Sequence, residues 1–182
     1  HAGTAMRFLT AYFASKKGVD IIITGSKRMQ ERPIRILVDA LNDLGADIHY
    51  LKNKGFPPLK IIGTDLNVSS VTLDAAISSQ YISALMLIAP SLKNGLLINL
   101  AGEITSVPYI KMTLNLMRKV GFSGSFNTNK IQIKATNTID SSRLNVESDW
   151  SSASYYYSII ALSRNLELTL NNFSKNSMQG DS

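Results

Sequence analysis

A few short segments of this 182-residue chain carry residue types suited to gripping anions. Gly3-Thr4 and Ser78-Ser79-Gln80 each stand before a dense apolar run of helical length, Met6 to Ala14 and Tyr81 to Ala89. A helix start exposes unpaired N–H groups and a partial positive charge, so it is a ready seat for phosphate or carboxylate. The glycine adds close backbone access, and the serines and Gln80 add hydroxyls and an amide. The plain alternative for each opening is N-capping. Arg32 stands immediately before Pro33, at about the N-cap of the helix that Pro33-Ile34 opens, with Lys27 and Arg28 upstream. Cations at a helix start oppose the macrodipole, and local conflicts of this sort mark functional sites. The plain alternative is a solvated basic loop partly offset by Glu31. If Arg32 faces the same space as Gly3, phosphate recognition follows, because its planar fork suits that group. Ser106-Val107-Pro108-Tyr109 occupies the matching place further on, with Pro108 lying 75 residues after Pro33. There a hydroxyl can bond a phosphate and an aromatic ring can support a hydroxylated one; simple packing of Tyr109 at the helix base is the alternative. Arg7, one turn into the first helix, is expected to pair with a carboxylate such as Asp149.

The elements that must position these residues repeat. Gly3-Thr4-Ala5, Ser78-Ser79-Gln80 and Ser151-Ser152-Ala153 each precede an apolar helical run, and their first residues, 3, 78 and 151, are spaced by 75 and 73. In phase with them, Ile34, Leu37, Val38, Leu41 and Leu44 follow Pro33 at near 3.6 periodicity, with Gly45 as a C-cap. The second copy has Pro108, Ile110, Leu114 and Met117, with Gly121 near the end. Strands are expected at 20–24, 47–51 and 59–62, with a turn at 55–58 between the last two, then at 68–73, 96–100, 123–126 and 131–135. The unit is thus helix, strand, helix, strand, strand. Two copies run to about residue 145 and a third begins near 146. Copies of this kind must pack around shared helices to bury their apolar faces.

Composition narrows the function. Lys plus Arg is 19 against 13 Asp plus Glu, a formal charge of +6, and hydrophobic types make up 45%. That is the composition of a globular protein. The absence of cysteine excludes a disulfide scaffold, a thiolate metal site and a cysteine nucleophile. His1 and His49 are the two histidines, and Asp20, Asp39, Asp43, Asp65 and Asp74 do not cluster, so no metal site is expected. The basic residues form one knot at 27–35 rather than a long face with interleaved aromatics, which argues against nucleic acid. No apolar run approaches the roughly 18 residues of a membrane span. Lys52 and Lys54 read as solvated loop, and Tyr155-Tyr156-Tyr157 as core and helix surface. The absence of Met at residue 1 and the ending at 178–182 give the expectation of an internal fragment of a longer chain.

Ala2-Gly3-Thr4-Ala5-Met6-Arg7, Arg28-Met29-Gln30-Glu31-Arg32-Pro33-Ile34, Ser78-Ser79-Gln80, Ser106-Val107-Pro108-Tyr109-Ile110, Asp149 with Ser151 to Tyr155, and Asn176 to Asp181 together resemble the 5-enolpyruvylshikimate-3-phosphate synthase family, whose activity is 3-phosphoshikimate 1-carboxyvinyltransferase. The resemblance runs through the whole chain in the family's order. It implies an α/β fold, an inverted, inside-out barrel-like domain of βαβαββ-type repeats with helices inside and sheets outside. Residues 1–145 would be most of one domain (two of three repeats), and 146–182 the truncated start of the second.

The implied reaction, part of aromatic amino-acid biosynthesis, moves the enolpyruvyl group of phosphoenolpyruvate to the 5-hydroxyl of shikimate 3-phosphate and releases phosphate, with no organic cofactor. By resemblance, Ser78, Ser79 and Ser106 hold the shikimate phosphate and Tyr109 lines its ring. Gly3, Arg32 and Gln80 bind phosphoenolpyruvate, and Arg7 and Asp149 are supporting. The resemblance places the proton-transfer residues outside these 182 residues, so this chain alone is expected to be inactive. A cytoplasmic location and a monomer at full length are also implied. Two departures stand out. His1 occupies a place usually held by Asn or Asp, and Phe8 replaces a Pro, leaving the Gly3–Arg7 turn without it. The alternatives are the related transferase acting on UDP-N-acetylglucosamine, which typically uses a reactive Cys that this chain lacks, and a non-enzymatic anion-binding domain of the same fold.

Overall fold

The computed structural model describes residues 2–136, 138, 139 and 141–182; His1 therefore lies outside the described residues. The first copy runs α1 (Gly3–Ala14), β1 (Asp20–Ile23), a short α2 (Lys27–Gln30), α3 (Arg35–Asp43), β2 (Asp47–Tyr50) and β3 (Leu59–Ile62). The second runs β4 (Ser70–Asp74), α4 (Ser79–Ile88), β5 (Leu96–Ala101), α5 (Val107–Lys119), β6 (Gly124–Asn127) and β7 (Lys130–Ile133). A last helix, α6, spans Trp150–Ala161. The repeat extends to detail. Helices α3 and α5 are each followed two residues later by a glycine in the left-handed region, Gly45 at φ 102° and Gly121 at φ 95°. That conformation ends a helix at no Cβ cost.

Sheet topology repeats as well. The first sheet has order β1-β3-β2 and the second β4-β5-β7-β6, so β5-β7-β6 copies the first sheet. The pairs within each copy are antiparallel: Asp20 and Asp47 both face Ile62, and Gly124 and Leu96 both face Ile133. The added strand β4 runs parallel to β5, with Val71 beside Ile98. The corresponding flank of β1 is a sheet edge. Each sheet buries one face: β4 and β7 alternate exposed and buried residues along their length.

The helices lie between these faces, as the inside-out expectation requires. Helix α3 puts Leu37, Val38, Ala40 and Leu41 inward and leaves Ile36 and Asp39 out. Helix α4 has almost no outer face. Tyr81 through Met86 are all buried, and Leu87 is the exposed exception before Ile88. A helix apolar on every side belongs in the middle of a core. Its neighbours are α1 and α5.

Four expectations need correcting. Pro33 does not open α3; Ile34 is the N-cap, and the residues before it form α2, so Arg32 lies in the turn between two helices. The text of 27–30 has too few residues for a periodicity to be read. The Gly3–Arg7 segment is not a turn that needs proline, because α1 runs unbroken through Phe8. Helix α6 begins where the third repeat opening was read, but Ala153 is its one buried residue, so it does not join the shared core. Tyr155, Tyr156 and Tyr157 are accordingly surface, 74%, 48% and 54% exposed, and not core.

Two sites in the first copy give direct tests. Gly63 follows β3 where α1 ends; a Cβ there would come within 2.8 Å of the Phe13 carbonyl oxygen and would overlap that of Lys16. The same junction is tied by Gly63 N–H to Val19 O at 2.8 Å and Thr64 N–H to Ala14 O at 3.1 Å. Gly63→Ala must push backbone apart and is expected to cost about 1–3 kcal/mol in urea unfolding. The Tyr50 hydroxyl is buried without a hydrogen-bond partner among the described residues, and its pKa is pushed up from 10.0 to about 12, by burial first and then by the Asp39 carboxylate, with Arg35 opposing. Above pH 10 the unfolded chain loses this proton before the folded one does, so Tyr50 makes stability fall between pH 10 and about 12. Tyr50→Phe is expected to flatten that part of the stability–pH curve.

Candidate functional site

The central helix α4 presents only its N-terminal end. Ser78 is the N-cap, its Oγ accepting from Gln80 N–H at 3.4 Å. Helix α1 opens beside it with Ala2 as N-cap and no side-chain cap. For Ser78 the capping alternative is therefore met, while the first turn at Gly3 keeps its N–H groups free of any capping side chain. Helix α5 opens on Ser106, also without a side-chain cap bond. A buried pair of hydroxyls sets α4 against α5. Thr113 Oγ1 donates to Tyr109 O at 3.0 Å, so Ser83 Oγ donates to Thr113 across 2.8 Å.

Gly3 holds Arg32. A Cβ at Gly3 would sit 2.8 Å from Arg32 Cζ, inside the guanidinium's van der Waals envelope. Gly3, Arg7, Arg32 and Pro33, with Met6, Met29 and Ile34, line one small cleft of about 10 Å³. Arg32 is exposed, and no ion pair engages it among the described residues. Arg7 is 9% exposed and has no carboxylate partner among them either. Its Nη1 instead donates to Gln80 Oε1, and its guanidinium lies 5.1 Å from the centroid of the Tyr81 ring. The pairing of Arg7 with Asp149 is thus wrong. Asp149 caps α6, accepting from Ser151 N–H at 3.0 Å and Ser152 Oγ at 2.7 Å. The Ser152 hydroxyl and then the backbone N–H groups hold its carboxyl below the usual range, with burial opposing.

Gln80 itself lines a second, larger cavity of about 480 Å³. Thr4, Ser79, Gln80 and Tyr109 form its polar rim, and Phe8, Leu87, Met112 and Leu116 are among its apolar wall. The structure thus brings Gly3, Arg7 and Arg32 together, and Ser79, Gln80 and Tyr109 together, with the Arg7–Gln80 bond joining the two groups. Ser78 and Ser106 sit at the helix caps, outside both linings. Tyr109 also faces the C-terminal segment: its hydroxyl donates to Asp181 Oδ2 at 3.4 Å, and that carboxylate, with burial and the bond itself, pushes the phenol's pKa up.

Residues 1–182 match the family described as EPSP synthase (3-phosphoshikimate 1-carboxyvinyltransferase) along their whole length. The chain belongs to the EPSP synthase family. A Bacteroides fragilis relative named 3-phosphoshikimate 1-carboxyvinyltransferase is 52% identical over 100% of this chain and 44% of its own length. One from Colwellia psychrerythraea with the same name is 44% identical over 100% of the chain and 42% of its own length. The solved EPSP synthase from Acinetobacter baumannii superposes with a TM-score of 0.69 at 26% identity, covering 85% of this chain and 34% of that one. The chain therefore spans less than half the length of the curated relatives it matches. The EPSP synthase assignment agrees with the α/β inside-out architecture and does not favour the UDP-sugar transferase alternative.

Two partnerships in this chain are not legible in its sequence, that of Arg7 with Gln80 and that of Tyr81 with the turn at Pro33. One signal for the first was present: Arg7 interrupts an apolar helical run that contains no acidic residue to pair with it. The Gly3–Arg32 contact has a direct test. Gly3→Ala meets a flexible side-chain end and not backbone, so thermal stability should stay near that of the parent chain. The guanidinium must move, and affinity for inorganic phosphate should fall, as followed by NMR titration.

Proposed function

We propose that this chain supplies one wall of an enolpyruvyl-transfer site. The carrying observation is the cleft in which Arg7 and Arg32, two cations without carboxylate partners among the described residues, flank the uncapped start of α1. A buried cation without a carboxylate, as Arg7 is, is costly until an anion arrives, and the exposed Arg32 is free to turn to the same anion. In this reading Gly3, Arg32 and Gln80 hold phosphoenolpyruvate by its phosphate, Arg7 supports Gln80, Ser78, Ser79 and Ser106 hold the phosphate of shikimate 3-phosphate, and Tyr109 lines the shikimate ring. The seat of Ser79 and Tyr109 on one cavity supports their share of the second assignment.

In the reaction, the 5-hydroxyl of shikimate 3-phosphate gives up its proton and adds to the enol carbon of phosphoenolpyruvate while the methylene carbon takes a proton, giving a tetrahedral intermediate; loss of a proton from the resulting methyl group then restores the double bond and expels phosphate. The fixed donors of α1, α4 and Arg32 would stabilise the charge on that leaving phosphate, which is the largest kind of catalytic contribution a rigid site makes. The groups that move protons are assigned to parts of the protein beyond residues 1–182. Residues 1–145 are read as most of one domain and 146–182 as the start of the second, with a cleft between domains as the place of reaction. The setting is aromatic amino-acid biosynthesis in the cytoplasm, by a protein monomeric at full length.

The purified 182-residue chain should release no phosphate from the two substrates, yet retain affinity for each. Arg32→Ala should weaken phosphoenolpyruvate binding by about tenfold or more, the scale of a charge-assisted hydrogen bond. Ser78→Ala should weaken shikimate 3-phosphate and spare phosphoenolpyruvate. Calorimetric titration separates these effects, and equal affinities in parent and variants would overturn the assignment.

A further inference from the structure

The turn that carries Arg32 is held by three backbone ties of different kinds. Arg32 N–H donates to Met29 O at 3.1 Å, which only closes the end of α2. Ile34 N–H donates to Gly55 O at 2.9 Å, which fastens the far side of the turn to the loop before β3. Between them Pro33 has no N–H to give, so its carbonyl is the one backbone group left to fix it. That carbonyl accepts from the Tyr81 hydroxyl at 2.8 Å, across 48 residues of sequence.

Tyr81 is 5% exposed and sits one residue after Gln80 in α4. Its ring lies under the Arg7 guanidinium whose Nη1 donates to Gln80. One side chain therefore touches the support of both halves of the cleft: the ring backs the Arg7–Gln80 pair, and the hydroxyl fixes the carbonyl next to Arg32. A phenylalanine would perform the first task and not the second.

We propose that Tyr81 is a positioning residue that sets the Arg32 guanidinium in register with Gln80, so that the two can grip one phosphate together. The proposal rests on the reading of Gly3, Arg32 and Gln80 as the phosphoenolpyruvate phosphate seat. Tyr81 does not touch the ligand; it acts through the Arg32–Pro33 turn.

The test compares the parent 182-residue chain with Tyr81→Phe, which keeps the ring, and Tyr81→Leu, which removes ring and hydroxyl. Two readouts are taken: nitrogen relaxation at Arg32 Nε without ligand, and titration with phosphoenolpyruvate and with shikimate 3-phosphate. Tyr81→Phe should mobilise Arg32 Nε and weaken phosphoenolpyruvate by about three- to tenfold, the loss of one hydrogen bond, with shikimate 3-phosphate affinity unchanged. Tyr81→Leu should weaken phosphoenolpyruvate further. A merely structural role would weaken both ligands alike. Equal weakening, or a Tyr81→Phe chain that binds phosphoenolpyruvate as the parent does, overturns the proposal and leaves the seat standing. A parent chain that binds neither substrate overturns the seat, and the proposal with it.

Discussion

Helix α4 has no face to spare, and the rest of the structure is arranged around that fact. Its residues are buried, with α1 and α5 packed against it, so solvent reaches it chiefly at its ends. Burying a helix on all sides is favourable for Ile82, Leu85 and Met86, at roughly 1.5–3 kcal/mol for each large apolar side chain. It also fixes where the polar opening at Ser78-Ser79-Gln80 can be. That opening cannot drift, because Ser83 is hydrogen-bonded to Thr113 within the core and Arg7 is bonded to Gln80 at the rim.

The charges make sense only in that setting. A guanidinium as buried as Arg7 would ordinarily have a carboxylate beside it. Here it has an amide oxygen and an aromatic face, which engage the guanidinium and leave its charge uncancelled. Arg32 lies against a glycine where any side chain would displace it. The elements that carry these two cations come from different parts of the first copy and are tied together by a tyrosine of the second. The site therefore belongs to neither repeat alone.

Much of the fold is legible in the sequence because the repeat is written in residues that act locally. Gly45 and Gly121 end helices, apolar periodicity marks α3 and α5, and short β-branched runs mark most strands. The bounds differ by one or two residues, as with β4, which begins at Ser70 and not Val68. Helix α2 is hidden because four residues carry no periodicity. The site is legible in part. The openings, Arg32 and Tyr109 are recognisable by type and place, whereas the partner of Arg7 is not. Gln80 lies 73 residues away and Asp149 looked the better electrostatic match. Nothing local can say that α6 stays outside the core while α1 meets α4.

The two sheets differ by one strand, and that difference bears on how this polypeptide behaves in solution. Where the second sheet has β4 on its flank, the first ends at β1 among the described residues, so the backbone groups of β1 that point away from β3 meet no strand, and Ile22 is more than half exposed. Such a rim invites backbone from any neighbour and is a known route to self-association. Two features blunt it: the strand is four residues long, and Asp20 begins it, bridged to Lys60. A charge placed at Ile22 would blunt it further.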